Sequence, residues 1–248
     1  MLYQQTLDQL YAMKLIGMAE ALEEQRSTTQ HQELTFEERL ALLIQRQYLW
    51  KENRALATRL KNARLKIPAC IEDINYRHPR GLKRELIEQM IASDWIKAHR
   101  NCLIIGPTGV GKTYLGCAFA DRACKDGYRA LYYYAPELFR NLKAALLDGS
   151  FTPVLRKLLN TNLLVIDDFG LENVNSTEYR YFLETLDNRH HCAATLITSQ
   201  YALNTWHQII GDDTVADAIL DRIVHNSYRI ELDGESMRKR DSSLSKIP

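Results

Sequence analysis

Gly106-Pro107-Thr108-Gly109-Val110-Gly111-Lys112-Thr113 is the stretch that decides how this chain folds. It satisfies the pattern G-x-x-x-x-G-K-[ST] at every fixed position. The apolar run Asn101-Cys102-Leu103-Ile104-Ile105 before it predicts a buried strand, and Tyr114 to Cys124 after it predicts a helix. Glycines let the backbone wrap a polyphosphate, and the following helix turns its free N–H groups and positive dipole end towards the anion. All eight residues are therefore candidates for a nucleotide cradle. Lys112 is expected to reach the β- and γ-phosphates and Thr113 to hold a magnesium ion. A glycine-rich turn with a chance lysine would not require the complete pattern.

Downstream, Leu163-Leu164-Val165-Ile166-Asp167-Asp168 reads as a buried strand with two acids at its C-terminal end, where open α/β sheets bind ligands. Asp167 is a candidate to assist magnesium, and Asp168 to polarise an attacking water. A third strand, Leu196-Ile197-Thr198-Ser199-Gln200, also ends in polar side chains. Ser199 and Gln200 are candidates to sense a γ-phosphate, and a simple polar strand end is the competing reading. Arg222, in Ala218-Ile219-Leu220-Asp221-Arg222, could act as an arginine finger on a neighbouring chain. On the residues alone, a surface ion pair with Asp217 or Asp221 accounts for it better.

Around these motifs, strands and helices alternate from Asn101 onward, which implies a mostly parallel sheet covered on both faces. Expected strands are 102–105, 130–134, 163–166, 195–198 and 228–232; expected helices are 112–125, 136–147, 176–190 and 214–224. Asn175 and Glu178 are spaced as a capping box, as are Thr35 and Glu38. Residues 1 to about 66 look helical throughout. Leu7, Leu10, Tyr11, Leu15, Met18 and Leu22 predict one amphipathic helix, and a second opens at Thr35. Lys66-Ile67-Pro68 ends it, an extended linker runs to Gly81, and Leu82 to His99 is again helical.

At 248 residues, 46% hydrophobic and 25% charged, the composition is that of a soluble globular protein. No apolar run approaches membrane-spanning length and residues 1–10 carry no secretory pattern, so a cytoplasmic location without membrane partners is expected. Net charge is +1, but six basic residues stand against one acid between Lys51 and Lys66. On a helical projection Arg39, Arg46, Arg54, Lys61 and Arg64 share a sector of about 80°, with Trp50 inside it, and Leu42, Leu49, Leu56, Leu60 and Ala63 share one of about 60°. Such a cationic row suits a phosphate backbone, so these residues are candidate DNA contacts; a merely solvated face is the alternative. The five cysteines show no ladder of spacings and read as reduced packing thiols, and adjacent His190-His191-Cys192 point too differently for a metal site.

Taken together, these segments resemble the IstB-type transposition helper ATPases, AAA+ proteins close to the DnaC helicase loaders. The resemblance rests on Leu15–Ala19 and Phe36–Leu43, on Gly106–Thr113, Ile166–Gly170 and Ile197–Gln200, and on Ala218–Arg222, Val224–Asn226 and Leu232–Arg238. It implies a three-layer α/β phosphate-loop core with a small all-α N-terminal domain, divided as 1–66 for DNA and partner binding, 67–100 as linker and leading helix, and 101–248 as ATPase. It further implies ATP and Mg2+ as cofactors, a homo-oligomer on double-stranded DNA with Arg222 acting across the subunit interface, and recruitment of a partner transposase. An extra helix, often in contact with DNA, is implied between Ala135 and Leu159, where Arg140, Lys143, Arg156 and Lys157 lie. Three departures stand out. Asp168 replaces the usual glutamate, Ser199 or Gln200 the usual sensor asparagine, and Arg238 stands in for an arginine normally carried on a helical lid. The nearest alternative is a helicase loader. From other classes, a small-molecule phosphotransferase and a DNA clamp with structural ATP share the loop.

Overall fold

The structure, a computed structural model, describes residues 2–27, 33–172 and 174–237. The chain divides into two units, one ending at Thr58 and the other beginning at Arg59. In the first, the apolar spacing expected to make one helix is split into α1 (Leu2–Ala12) and α2 (Ile16–Ser27). Lys14 takes a left-handed φ of 60°, and the amides of Lys14 and Leu15 close on the carbonyls of Tyr11 and Leu10. This left-handed C-cap, made without glycine, folds Leu7, Leu10 and Ala19 into a small core. Gly17 instead serves a helix crossing with α3 (Phe36–Ala63). A Cβ on it would lie 2.8 Å from Trp50 Cβ and 2.9 Å from Arg46 O, so a larger residue would force the two helices apart. The capping box forms, with Thr35 N donating to Glu38 Oε2 at 2.8 Å and Glu38 N to Thr35 Oγ1 at 3.3 Å.

The second helix ends at Ala63 rather than Lys66, because Arg64 turns left-handed at φ 54°. The following linker is not simply extended. A 3-10 turn at Ile71–Asp73 interrupts it, and Ile71, Ile74 and Arg80 are buried. The helix expected over 82–99 is broken at Ser93 (φ 54°) into α4 (Arg84–Ile91) and α5 (Asp94–Lys97).

The sheet follows from five short apolar strands: β1 (Asn101–Ile105), β2 (Ala130–Tyr134), β3 (Leu163–Phe169), β4 (Ala194–Ser199) and β5 (Ser227–Glu231). They lie in the order β2-β3-β4-β1-β5, every pairing parallel. Near-continuous apolar runs in β1 to β4 are what burial on both faces demands. On one face, Leu103, Leu131, Tyr133, Leu164, Ile166 and Ile197 join α7 (Ala135–Leu147), α9 (Ser176–Arg189) and α11 (Asp213–Val224) in a single core. On the other lies α6 (Lys112–Lys125), where a Cβ on Gly116 would meet Val165 and Leu196 at 3.4 Å. Two helices not anticipated from the residues, α8 (Phe151–Leu159) and α10 (Trp206–Ile210), complete the unit. α8 lies in the interval where the family resemblance implied an additional helix.

Arg189 holds one corner of this arrangement. It is 1% exposed, and its guanidinium donates to the carbonyls of Leu158, Thr161 and Ala194 and to Thr195 Oγ1. Burial lowers its pKa to about 10, so it stays charged at neutral pH. Several carbonyls, Leu158's in the last turn of α8, compensate the charge with their negative dipole ends. Arg189→Met should strip those oxygens of the guanidinium's hydrogen bonds and cost about 3 kcal/mol or more. Urea unfolding of the nucleotide-free chain measures this, and an unchanged midpoint would mean that the guanidinium carries no structural weight.

Candidate nucleotide site

The loop between β1 and α6 folds as its glycines allow, with Gly109 and Gly111 at φ 89° and 95°. Lys112 is 5% exposed and curls back, its Nζ donating to Gly106 O at 2.8 Å and Pro107 O at 2.9 Å. Thr113 Oγ1 reaches the Asp167 carboxylate at 2.9 and 3.1 Å. Asp167 has no exposed surface and also accepts from Tyr132 Oη and Thr198 Oγ1, each at 2.7 Å. Burial, and then the Asp167 carboxylate, push the Tyr132 phenol far above its ordinary pKa, so it remains a proton donor to that carboxylate. Lys66 Nζ stands 3.6 Å from Asp167 Oδ2 and 5.0 Å from the Tyr134 ring.

Asp168 is aimed differently from its neighbour. The β3–β4 register slips between Ile166 and Phe169, and Asp168 sits at φ 61°, a left-handed conformation that aspartate tolerates better than most residues. The bulge turns Asp168 into a cleft of about 600 Å3, shared with Lys112, Thr113, Arg80, Gln200 and Met237. Thr198 links the two acids, since its hydroxyl donates to Asp167 and accepts from Asp168 N at 2.9 Å.

The candidates read from the sequence separate into groups. Lys112, Thr113, Asp167, Asp168, Thr108, Gly109 and Gly111 come together around the cleft. Ser199 is fully buried and turned inward, donating to Phe169 O at 2.9 Å; it is Gln200 that lines the cleft, accepting from Thr108 Oγ1 at 2.9 Å. Arg222 pairs with Asp187 and Asp221, and its carbonyl accepts from Asn101 Nδ2 at the start of β1. The loop leaves the other end of that strand, about 13 Å away at strand rise. Arg238 lies outside the described residues, but Met237 N donates to Gly109 O at 3.0 Å, which ties the segment after β5 to the loop.

The basic candidates are less free than their spacing suggests. Arg39 Nε donates to Gln25, Arg46 pairs with Glu24 at 2.6 Å, and the Arg54 guanidinium lies 5.1 Å from the Trp50 ring. Lys61 belongs to the second unit, and Arg64 lies beyond the helix end, so it does not continue the helical face. Arg140 and Lys143 pair with Glu172 and Glu178. Two contributors escaped the sequence reading, Thr198 and Arg80. The first sat unremarked inside the strand whose last two residues drew attention, and the second lay in a linker read as mere connection.

A doubly covered parallel sheet with the acid-bearing strand separated from the loop strand by one other, and the loop capped by Lys112 and Thr113, defines an AAA+ nucleotide-binding protein. The family model described as IstB-like ATP binding protein matches residues 8–245, and the chain belongs to that family. It is 46% identical to an insertion sequence ATP-binding protein, y4pL, of Sinorhizobium fredii, over 99% of this chain and all of that one. The crystal structure of DnaI is similar with a TM-score of 0.57 and 26% identity, covering 68% of this chain and 95% of that one. AMPPCP-bound DnaA from Aquifex aeolicus shares the fold at a TM-score of 0.57 and 19% identity, over 74% of this chain and 57% of that one. Among the described residues no helix is long and apolar enough to cross a membrane.

Thr198→Val keeps the shape of the strand and removes both links. It should cost about 1–3 kcal/mol, because the Asp168 amide and the Asp167 carboxylate each lose a buried partner. The melting temperature of the nucleotide-free chain reports it, and a variant as stable as wild type would show that the acids are held without Thr198.

Proposed function

We propose that the chain is a magnesium-dependent ATPase that assembles on double-stranded DNA and recruits a partner transposase during transposition. The observation that carries the ATPase reading is the direct contact between Thr113 and Asp167, with Asp168 re-aimed into the same cleft. Hard oxygen donors of this kind, one hydroxyl and one carboxylate, fit Mg2+, which completes its shell with water and phosphate oxygens. Bound there, the metal would supply charge neutralisation to the phosphates. Lys112 would exchange its two loop carbonyls for phosphate oxygens, and Thr113 and Asp167 would hold the metal. Asp168 would orient the attacking water, and Gln200 would report on the terminal phosphate. With a carboxylate one methylene shorter than glutamate, slow turnover coupled to assembly is expected.

The position of Arg222 supports assembly. Lying at the opposite end of β1 from the loop, it is out of reach of its own cleft and suits the site of a neighbouring copy. The kinship with an insertion sequence ATP-binding protein supports the transposition context. An exposed row on α3, Phe36, Leu40, Ile44 and Tyr48 at four-residue spacing, supports a protein partner for the first unit. The fold shared with the DnaC helicase loader, at a TM-score of 0.50 and 22% identity, favours a second reading, a helicase loader.

Lys112→Ala should abolish nucleotide binding and ATP-dependent growth of particles on duplex DNA, measured by light scattering with ATP, with ADP and without nucleotide. Equal DNA-bound mass in all three conditions would refute the assembly. Arg222→Ala should keep ATP binding and lose DNA-stimulated turnover by on the order of a hundredfold. An unchanged rate would leave it a surface ion pair. Capture of a hexameric helicase and no transposase by the full chain would favour the loader.

A further inference from the structure

Among the described residues of the second unit, two guanidiniums are buried, and their surroundings differ. Every nitrogen of Arg189 donates to an oxygen. Arg80, 2% exposed, is only partly satisfied. Its Nη1 donates to Val110 O at 2.6 Å and lies 3.3 Å from Met237 Sδ, and its Nη2 donates to Asn75 O at 3.2 Å. Its Nε is buried and meets no acceptor, and no carboxylate among the described residues pairs with it. Burial lowers its pKa, the direction expected of a cation short of counter-charge.

Its location gives that shortage a meaning. Arg80 lines the same cleft as Lys112, Thr113 and Asp168, and a Cβ on Gly111 would run into its guanidinium. The absence of a side chain at Gly111 therefore lets a cation from the linker lie against the loop. Burying a charge without its partner is unfavourable, and a polyanion entering the cleft would supply what is missing. Asn75, Val110 and Met237 belong to three separate segments, so the same guanidinium spans the linker, the loop and the segment after β5.

We propose that Arg80 is a nucleotide-binding residue of this chain's own site, a second cation beside Lys112 that supplies counter-charge to the polyphosphate and fastens the linker to the nucleotide-loaded loop. The inference rests on the cleft being the ATP site. It assigns a chemical role to a stretch that sequence reading treats as a connector.

The test is the ATP affinity of the full chain and of Arg80→Lys and Arg80→Gln, titrated with magnesium at several ionic strengths, with thermal melts of each nucleotide-free protein. Arg80→Gln should weaken ATP binding at least about tenfold, the equivalent of one hydrogen bond to a charged group, and flatten its salt dependence. Arg80→Lys should keep the wild-type salt dependence and most of the affinity. Should glutamine unfold the segment, Arg80→Met fills a similar volume without charge and is held to the same expectation. Equal losses in the lysine and neutral variants, with the wild-type salt dependence in all, would make Arg80 a strut and overturn the proposal; so would wild-type affinity in a neutral variant. Failure of the wild-type chain to bind ATP, or undiminished binding by Lys112→Ala, would instead refute the ATP assignment of the cleft and take this proposal with it.

Discussion

A carboxylate with no exposed surface, Asp167, makes the strongest demand in this molecule. An ionised acid is tolerated in an interior only when donors surround it. Here the donors come from three different elements: Tyr132 on β2, Thr198 on β4 and Thr113 at the start of α6. The arrangement requires β3 to lie between β2 and β4 and the phosphate loop to arrive from β1 on the far side of β4. The observed strand order supplies both. Satisfying one buried charge and placing the two oxygens suited to a divalent cation are thus the same structural act.

The neighbouring acid shows how one bulge divides labour between adjacent residues. Regular alternation would put Asp168 on the face opposite Asp167, against the apolar helices α7 and α9. The register slip and the left-handed φ of Asp168 turn it to the cleft instead, and Thr198 ties its amide down. Strain of this kind persists only where the surroundings over-determine it. The surroundings here are β4 on one side and the cluster of Phe139, Phe169, Tyr179 and Phe182 on the other, whose rings lie 5.2 to 6.3 Å apart.

Cations complete the picture. Lys112 curls onto its own loop, Lys66 leans towards Asp167, and Arg80 lies beneath Gly111. Three positive groups converge on one cleft from separate segments of the chain, a local concentration of positive charge that a net charge of +1 does not suggest. Arg222 lies apart from them and is paired with acids. Within one chain its guanidinium has a structural partner. Any chemical role for it depends on a second copy.

Local chemistry was legible in the residues. The loop pattern, the apolar strands and the Asn175–Glu178 capping box depend on neighbours within a few positions, and the alternation of strands with helices led to the parallel sheet that is observed. Where the reading departed from the structure, single backbone angles decided. Lys14, Arg64 and Ser93 each adopt a left-handed conformation that residues of their types rarely announce, so one helix became two, another stopped early and a third broke. The cationic face of 39–64 loses Arg64 where the helix ends, and Glu24 and Gln25, distant in sequence, engage two of its other members. By itself, then, the sequence determined the fold class, the family and the glycine-rich loop between β1 and α6. Only the tertiary structure decided that Gln200 rather than Ser199 lines the cleft, that Thr198 joins the two acids and that Arg80 reaches the loop. Those choices are made by contacts between elements, and no spacing along one chain encodes them.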